Sequence, residues 1–166
     1  MAEPKGCLWQ LLVALGIIPK NDNQASAQQV TEEFPFTKRT YFFTVGERKF
    51  FEVLAGICEG NCVLFSKVRL ADLVSVNKGT EKWGSHFNRI KSKHIDFVIC
   101  RNESVQPLLC IELDDKSHDK PARQERDRFV DHVLQAAGLP ILRVRAARHY
   151  DSNELLRQIK NAMLHG

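Results

Sequence analysis

From Thr44 onward the apolar positions fall into short, well-marked blocks. Phe50, Phe51, Leu54 and Ile57 recur at helical spacing, and Thr44 followed three residues later by Glu47 spells a capping box at the start of that helix. Gly60-Asn61 ends it. CVLFSKV, residues 62–68, reads as a strand, and RLADLVSV after it fits either a strand or a short helix. Residues 77–93, NKGTEKWGSHFNRIKSK, are basic and poorly periodic, which predicts a long loop of the kind that is functional or lacks fixed structure. HIDFVIC and LLCIELD are two strands joined by the polar turn RNESVQP, a hairpin pattern. Asp119 and Pro121 open a helix running to Gly138, with Phe129, Val133, Leu134 and Ala137 on its inner face. ILRV, residues 141–144, is a further strand, and Asp151 caps a last helix that turns Leu155, Leu156, Ile159 and Met163 inward.

The predicted order is α-β-β-β-α-β-α, an α/β domain over residues 37–164 with a mixed sheet of about four strands flanked by helices. Leu108 to Val144 forms a strand–helix–strand unit, which implies a parallel pair with a right-handed crossover. Residues 1–36 stand apart. CLWQLLVALGII, residues 7–18, is shorter than the roughly 20 apolar residues that span a bilayer. It predicts a short helix that docks on the domain or a partner, or touches a membrane surface. PKNDNQASAQQVTEE then reads as a linker.

Composition adds little until it is localised. The 166 residues are 43% hydrophobic and 27% charged, as in ordinary globular proteins, and the net charge of +4 is mild. Between Asn61 and Ile95, however, seven lysines and arginines stand against only Asp72 and Glu81. Such a local excess can steer phosphates. The five cysteines, Cys7, Cys58, Cys62, Cys100 and Cys110, are scattered and form no CxxC pair, which speaks against zinc. Cys100 and Cys110 lie inside apolar strands, where a free thiol acts as a small hydrophobe. A reducing, cytoplasmic compartment is the expectation.

The chemistry gathers in PLLCIELDDKSH, residues 107–118, where an apolar strand runs into Glu112, Asp114 and Asp115. If the hairpin turn centres near Ser104, cross-strand partners sum to about 208. Cys100 then faces Leu108, Val98 faces Cys110, Asp96 faces Glu112, and His94 faces Asp114. Alternation puts His94, Asp96, Glu112 and Asp114 on one face. Opposed carboxylates repel unless a cation lies between them. Asp96, Glu112 and the Leu113 carbonyl would give the oxygen-rich shell that Mg²⁺ or Mn²⁺ prefers. Acidic residues at strand ends are also common on solvated surfaces, and a one-residue slip in register would separate the pair.

Asp96 followed by Glu112-Leu113-Asp114 resembles the restriction-endonuclease-like nuclease superfamily, whose usual signature is an Asp, then Asp or Glu, any residue, and Lys. More narrowly, KVRLADLV, HFNRI, KHIDFVIC, LLCIELDDKSH, RQERDRFVD and AAGLPILRV together look like the domain-of-unknown-function 2726 family, over about residues 37–160. Asp96 to Arg143 is also similar to relatives of very-short-patch repair endonucleases. The resemblance implies a restriction-endonuclease-like sheet and a divalent metal held by Asp96 and Glu112 with the Leu113 carbonyl. It also offers Glu47 as an accessory third carboxylate, although Glu47 is explained more simply by the capping box. Asp114 stands where the superfamily has its lysine; Lys116 or His118, in the loop that follows, would have to substitute, with His118 as general base.

The activity so implied is metal-assisted hydrolysis of phosphodiesters, of DNA in the first instance, in repair, defence or mobile-element handling. Arg126 and Arg143 are the candidates for the scissile phosphate, and Asp127 for pairing His118 or Arg143. Lys82, Arg89, Lys91 and Lys93 would track the nucleic-acid backbone, and Trp83 or Phe87 would stack on an unpaired base or pin the loop to the core. Two other readings stay open: a nucleic-acid-binding module of the same fold that has lost its chemistry, and a peripheral membrane or scaffold protein working through residues 7–18.

Overall fold

The computed structural model describes residues 12, 14–17, 34–114 and 121–165. The chain divides into two units, Met1–Thr40 and Tyr41–Gly166. In the first, the Ile17 N–H donates to the Leu12 carbonyl at 3.0 Å; most of the helix expected over residues 7–18 lies outside the described residues. Among the described residues no helix is long and apolar enough to cross a membrane.

The second unit is α/β. Helix α1 (Val45–Cys58) is followed by strand β1 (Cys62–Arg69), a single-turn helix α2 (Leu70–Leu73) and helix α3 (Trp83–Lys91). Strands β2 (His94–Arg101) and β3 (Pro107–Asp114), helix α4 (Pro121–Ala136), strand β4 (Ile141–Arg145) and helix α5 (Ser152–His165) complete it. The four strands form one open mixed sheet in the order β1-β2-β3-β4. The first three are antiparallel, and β3 and β4 are parallel, as a strand–helix–strand unit requires.

The local signals act as their chemistry demands. Thr44 and Glu47 form the reciprocal capping box of α1, Asp151 accepts from the Asn153 and Glu154 N–H groups at 2.9 Å to start α5, and Gly138, at φ 65°, closes α4. Residues 83–91, expected within a loop, are helical. Trp83, Phe87 and Ile90 are the apolar stripe that makes them so, with Ile90 buried against the sheet.

Two apolar layers sandwich the sheet. On one face Phe97, Ile99, Leu109 and Ile111 pack against Phe50 and Leu54 of α1 and Leu155 and Ile159 of α5. On the other, Val98, Cys100 and Cys110 meet Leu70, Ile90 and the α4 residues Val130 and Leu134. Cys58, Cys100 and Cys110 are buried free thiols within these layers. Burial, followed by the charge of Glu112 and then Cys100, pushes the Cys110 thiol up to about 12, so it stays neutral.

Alternation fails at one place. Val68 and Ile95 join the α4-side layer, although period two from Leu64 and Phe97 would send them to the other face. Between them Lys67 adopts the left-handed conformation, φ 55°. The flanking pairs Ser66–Phe97 and Val68–Ile95 place Lys67 opposite Asp96. The kink therefore crosses both strands at the residue that was expected to hold a metal.

Candidate functional site

β2 and β3 keep the expected register at Phe97–Ile111 and Val98–Cys110, and Ile99 pairs with Leu109. Towards the turn a bulge shifts it, so that Cys100 pairs with Pro107 and not Leu108. Towards the carboxylate end the ladder stops at Phe97, because the Asp96 side chain takes over as acceptor. Its Oδ2 receives the Leu113 N–H at 2.9 Å. Asp96 and Glu112 are thus brought together, each half-buried. What Leu113 contributes to this junction is its N–H, given to Asp96.

The early end of the ladder removes His94 from the constellation. It pairs with Arg69 of β1, its charge acts on Asp72, and it is exposed. The expected His94–Asp114 opposition does not form. Asp114 instead pairs with Arg145 of β4 and lies 3.6 Å from Arg143 Nη1.

Parallel pairing places Arg143 beside Glu112. Alternation puts both, with Cys110 and Ile141, on the α4 side of the sheet. Four charges reach Glu112: Asp96 and Asp127 repel its negative form, while Arg143 and Arg126 favour it. Burial and Asp96 prevail and push its pKa up to about 8. Two carboxylates thus meet at the end of a buried strand with two guanidinium groups in reach, and burial is the first reason that Glu112 resists ionising. A hard divalent cation with a water-rich shell fits that donor set. Among the described residues, no group of three or more His, Cys, Asp or Glu side chains gathers to hold a metal.

The remaining expectations divide cleanly. Arg143 donates to Asp131 Oδ1 at 2.8 Å. Burial opposes its charge, but Asp131, Asp127 and Asp114 hold it protonated more firmly than a free arginine. It is a tether between sheet and α4, and Asp127 acts on it as expected. Arg126 is exposed and close enough to act on Glu112, which suits a phosphate ligand better. Lys116 and His118 lie outside the described residues. Glu47 accepts from the Thr44 N–H at 2.7 Å and from Lys67 Nζ at 2.6 Å. Burial alone would raise its pKa, but those bonds outweigh it and hold the carboxyl below its ordinary value. It serves the cap and Lys67, whose Nζ also lies 5.8 Å from the ring centres of Phe42 and Phe43. Sequence reasoning missed Lys67 and Asp131. Lys67 gave no signal, since a left-handed residue is ordinarily announced by Gly or Asn.

The sequence matches, over residues 39–163, the family described as "Protein of unknown function (DUF2726)". The chain belongs to the DUF2726 family. No curated protein and no solved structure matches it. Within this DUF2726 domain the match begins just before α1 and ends in α5, so it contains the whole sheet and every described residue of the carboxylate site.

Proposed function

We propose that this DUF2726 domain is a metal-dependent nuclease of the restriction-endonuclease-like superfamily, related to the very-short-patch enzymes, that hydrolyses phosphodiester bonds of DNA. The observation that carries the reading is the half-buried Asp96–Glu112 pair where β2 and β3 part, with Arg126 in reach of Glu112. Mg²⁺ or Mn²⁺ held by Glu112 and the Asp96 carboxylate would supply an activated water and neutralise charge on the phosphorane oxygens.

The chain's own residues do the rest. The Leu113 N–H holds the Asp96 carboxylate at the junction of β2 and β3. Arg143, bound to Asp131, locks β4 to α4 so that the wall behind Glu112 does not yield. Arg126, exposed and near Glu112, binds and orients the scissile phosphate. A lysine is lacking at the third position of the motif, where Asp114 approaches Arg143. That observation favours a second reading, a nucleic-acid-binding domain of the same fold without chemistry.

Cleavage of supercoiled plasmid, labelled single strands, mismatched duplexes and RNA, each with Mg²⁺, Mn²⁺ or EDTA, separates the two. Activity that needs metal and is lost at least 100-fold in Glu112→Ala is the expected result. Nucleic-acid binding with no cleavage under any condition would replace the nuclease by the binding domain.

A further inference from the structure

Helix α3 carries charge that neither the fold nor the carboxylate site uses, and a tryptophan that stays partly exposed. Lys78, Lys82, Arg89, Lys91 and Lys93 surround it with only Glu81 opposing. Among the described residues none of those five basic side chains makes an ion pair. Arg89 and Lys93 converge on one ring, that of Phe129 in α4, at 4.1 and 5.5 Å from its centre. Two cations gathered at one ring, neither in an ion pair among the described residues, attract an anion.

Next to them is a pair of rings. Trp83 and Phe87 stack at 5.0 Å with only 11° between their planes, and Trp83 is pinned by its Nε1–H to the Val76 carbonyl at 3.2 Å. Trp83 nevertheless keeps 45% of its surface exposed. Beside it lies a groove of about 510 Å³ whose walls include Val76, Asn77, Thr80, His86 and Phe129. Its lining is as polar as it is apolar, and Ser75, Asn77, Thr80 and His86 offer hydrogen bonds to the edge of a planar heterocycle. α4 continues the track, since Arg126 stands three residues before Phe129 and so shares its side of the helix. Arg126 in turn reaches Glu112.

We propose that α3 is a docking face for single-stranded DNA, which runs from the Trp83–Phe87 platform past Arg89 and Lys93 to Arg126. Unpaired bases stack on Trp83 or enter the groove, and the phosphates follow the basic side chains. A duplex hides its base faces and meets only the charges. The proposal rests on the nuclease reading for its choice of DNA, and it narrows that reading to substrates with an unpaired stretch.

The test is binding of a fluorescein-labelled thymidine 15-mer in EDTA, where no cutting occurs, so that its failure is separate from any failure of catalysis. Trp9→Phe leaves Trp83 as the sole tryptophan reporter. The expected results are quenching of Trp83 fluorescence by the oligonucleotide and at least tenfold tighter binding than to a duplex of equal length. Trp83→Ala, checked for native circular dichroism, should weaken binding about 5- to 50-fold. Arg89→Glu with Lys93→Glu should flatten the salt dependence by about one to two counterions. Unchanged Trp83 fluorescence at saturation overturns the proposal, as does equal or tighter binding of the duplex. Tighter binding of the matching RNA overturns the commitment to DNA, and the quenching measurement decides the matter even if Trp83→Ala fails to fold.

Discussion

The two faces of the sheet are built from the same strands yet obey different rules. The α1–α5 face is apolar up to the Glu47–Lys67 ion pair, with Phe97 in edge-on contact with Phe50 and tilted on Phe43, at 5.4 and 5.9 Å. The α4 face keeps Ile95 and Val68 in its apolar layer but is interrupted beyond Val98 and Cys110. Beyond them Asp96, Glu112 and Arg143 replace hydrophobic side chains. Charge enters where the alternation breaks, and there alone the ladder gives way to a carboxylate. The first face holds the domain together. The second tolerates a local loss of stability, the pattern found where buried titratable groups are retained for chemistry.

Substitutions on the two faces should therefore differ in sign. Phe97→Ala, with its side chain fully buried, should lower unfolding free energy by about 3–5 kcal/mol in urea denaturation. A loss below about 1 kcal/mol would mean that the aromatic layer is not a tight core. Glu112→Gln should do the reverse. The folded carboxyl titrates at about 8 against 4.5 in the unfolded chain. Its contribution is fully present below pH 4.5 and is lost as pH rises through 8. In EDTA the variant should be more stable than the wild type at pH 8, on the order of 1–2 kcal/mol once partial solvent screening is discounted. The difference should vanish near pH 4. A variant that melts lower at pH 8 would show that Glu112 is satisfied in the folded chain and that the two faces are alike. Thr44→Ala, away from both layers, should cost about 1 kcal/mol at neutral pH by loss of the α1 cap, read by urea denaturation.

Much of this was legible in the sequence because the relevant forces are local. Both caps, the hairpin, the parallel crossover and the meeting of Asp96 with Glu112 followed from spacing and alternation. The failures have other causes. The bulge at Ile99–Cys100 and the left-handed Lys67 are local to the backbone and nothing in residue type marks them, while the β2–β3 ladder ends early because the Asp96 side chain takes the Leu113 N–H. His94 was misplaced for that reason: alternation was extended past a kink it did not survive. Helix α3 was read as a loop because its charges obscured the spacing of Trp83, Phe87 and Ile90. The ion pair of Arg143 with Asp131 joins a strand to a helix, which no period along the chain reveals.

Lys67 also bears on how copies of this protein tolerate one another. Among the described residues β1 has a neighbouring strand on one side only, so its outer rim is lined with open hydrogen-bonding groups. Such a rim recruits other strands and starts aggregates. A lysine held at φ 55° near the end of β1 interrupts the regular spacing of those groups. The distortion beside the acidic pair thus doubles as a guard on the sheet's open margin.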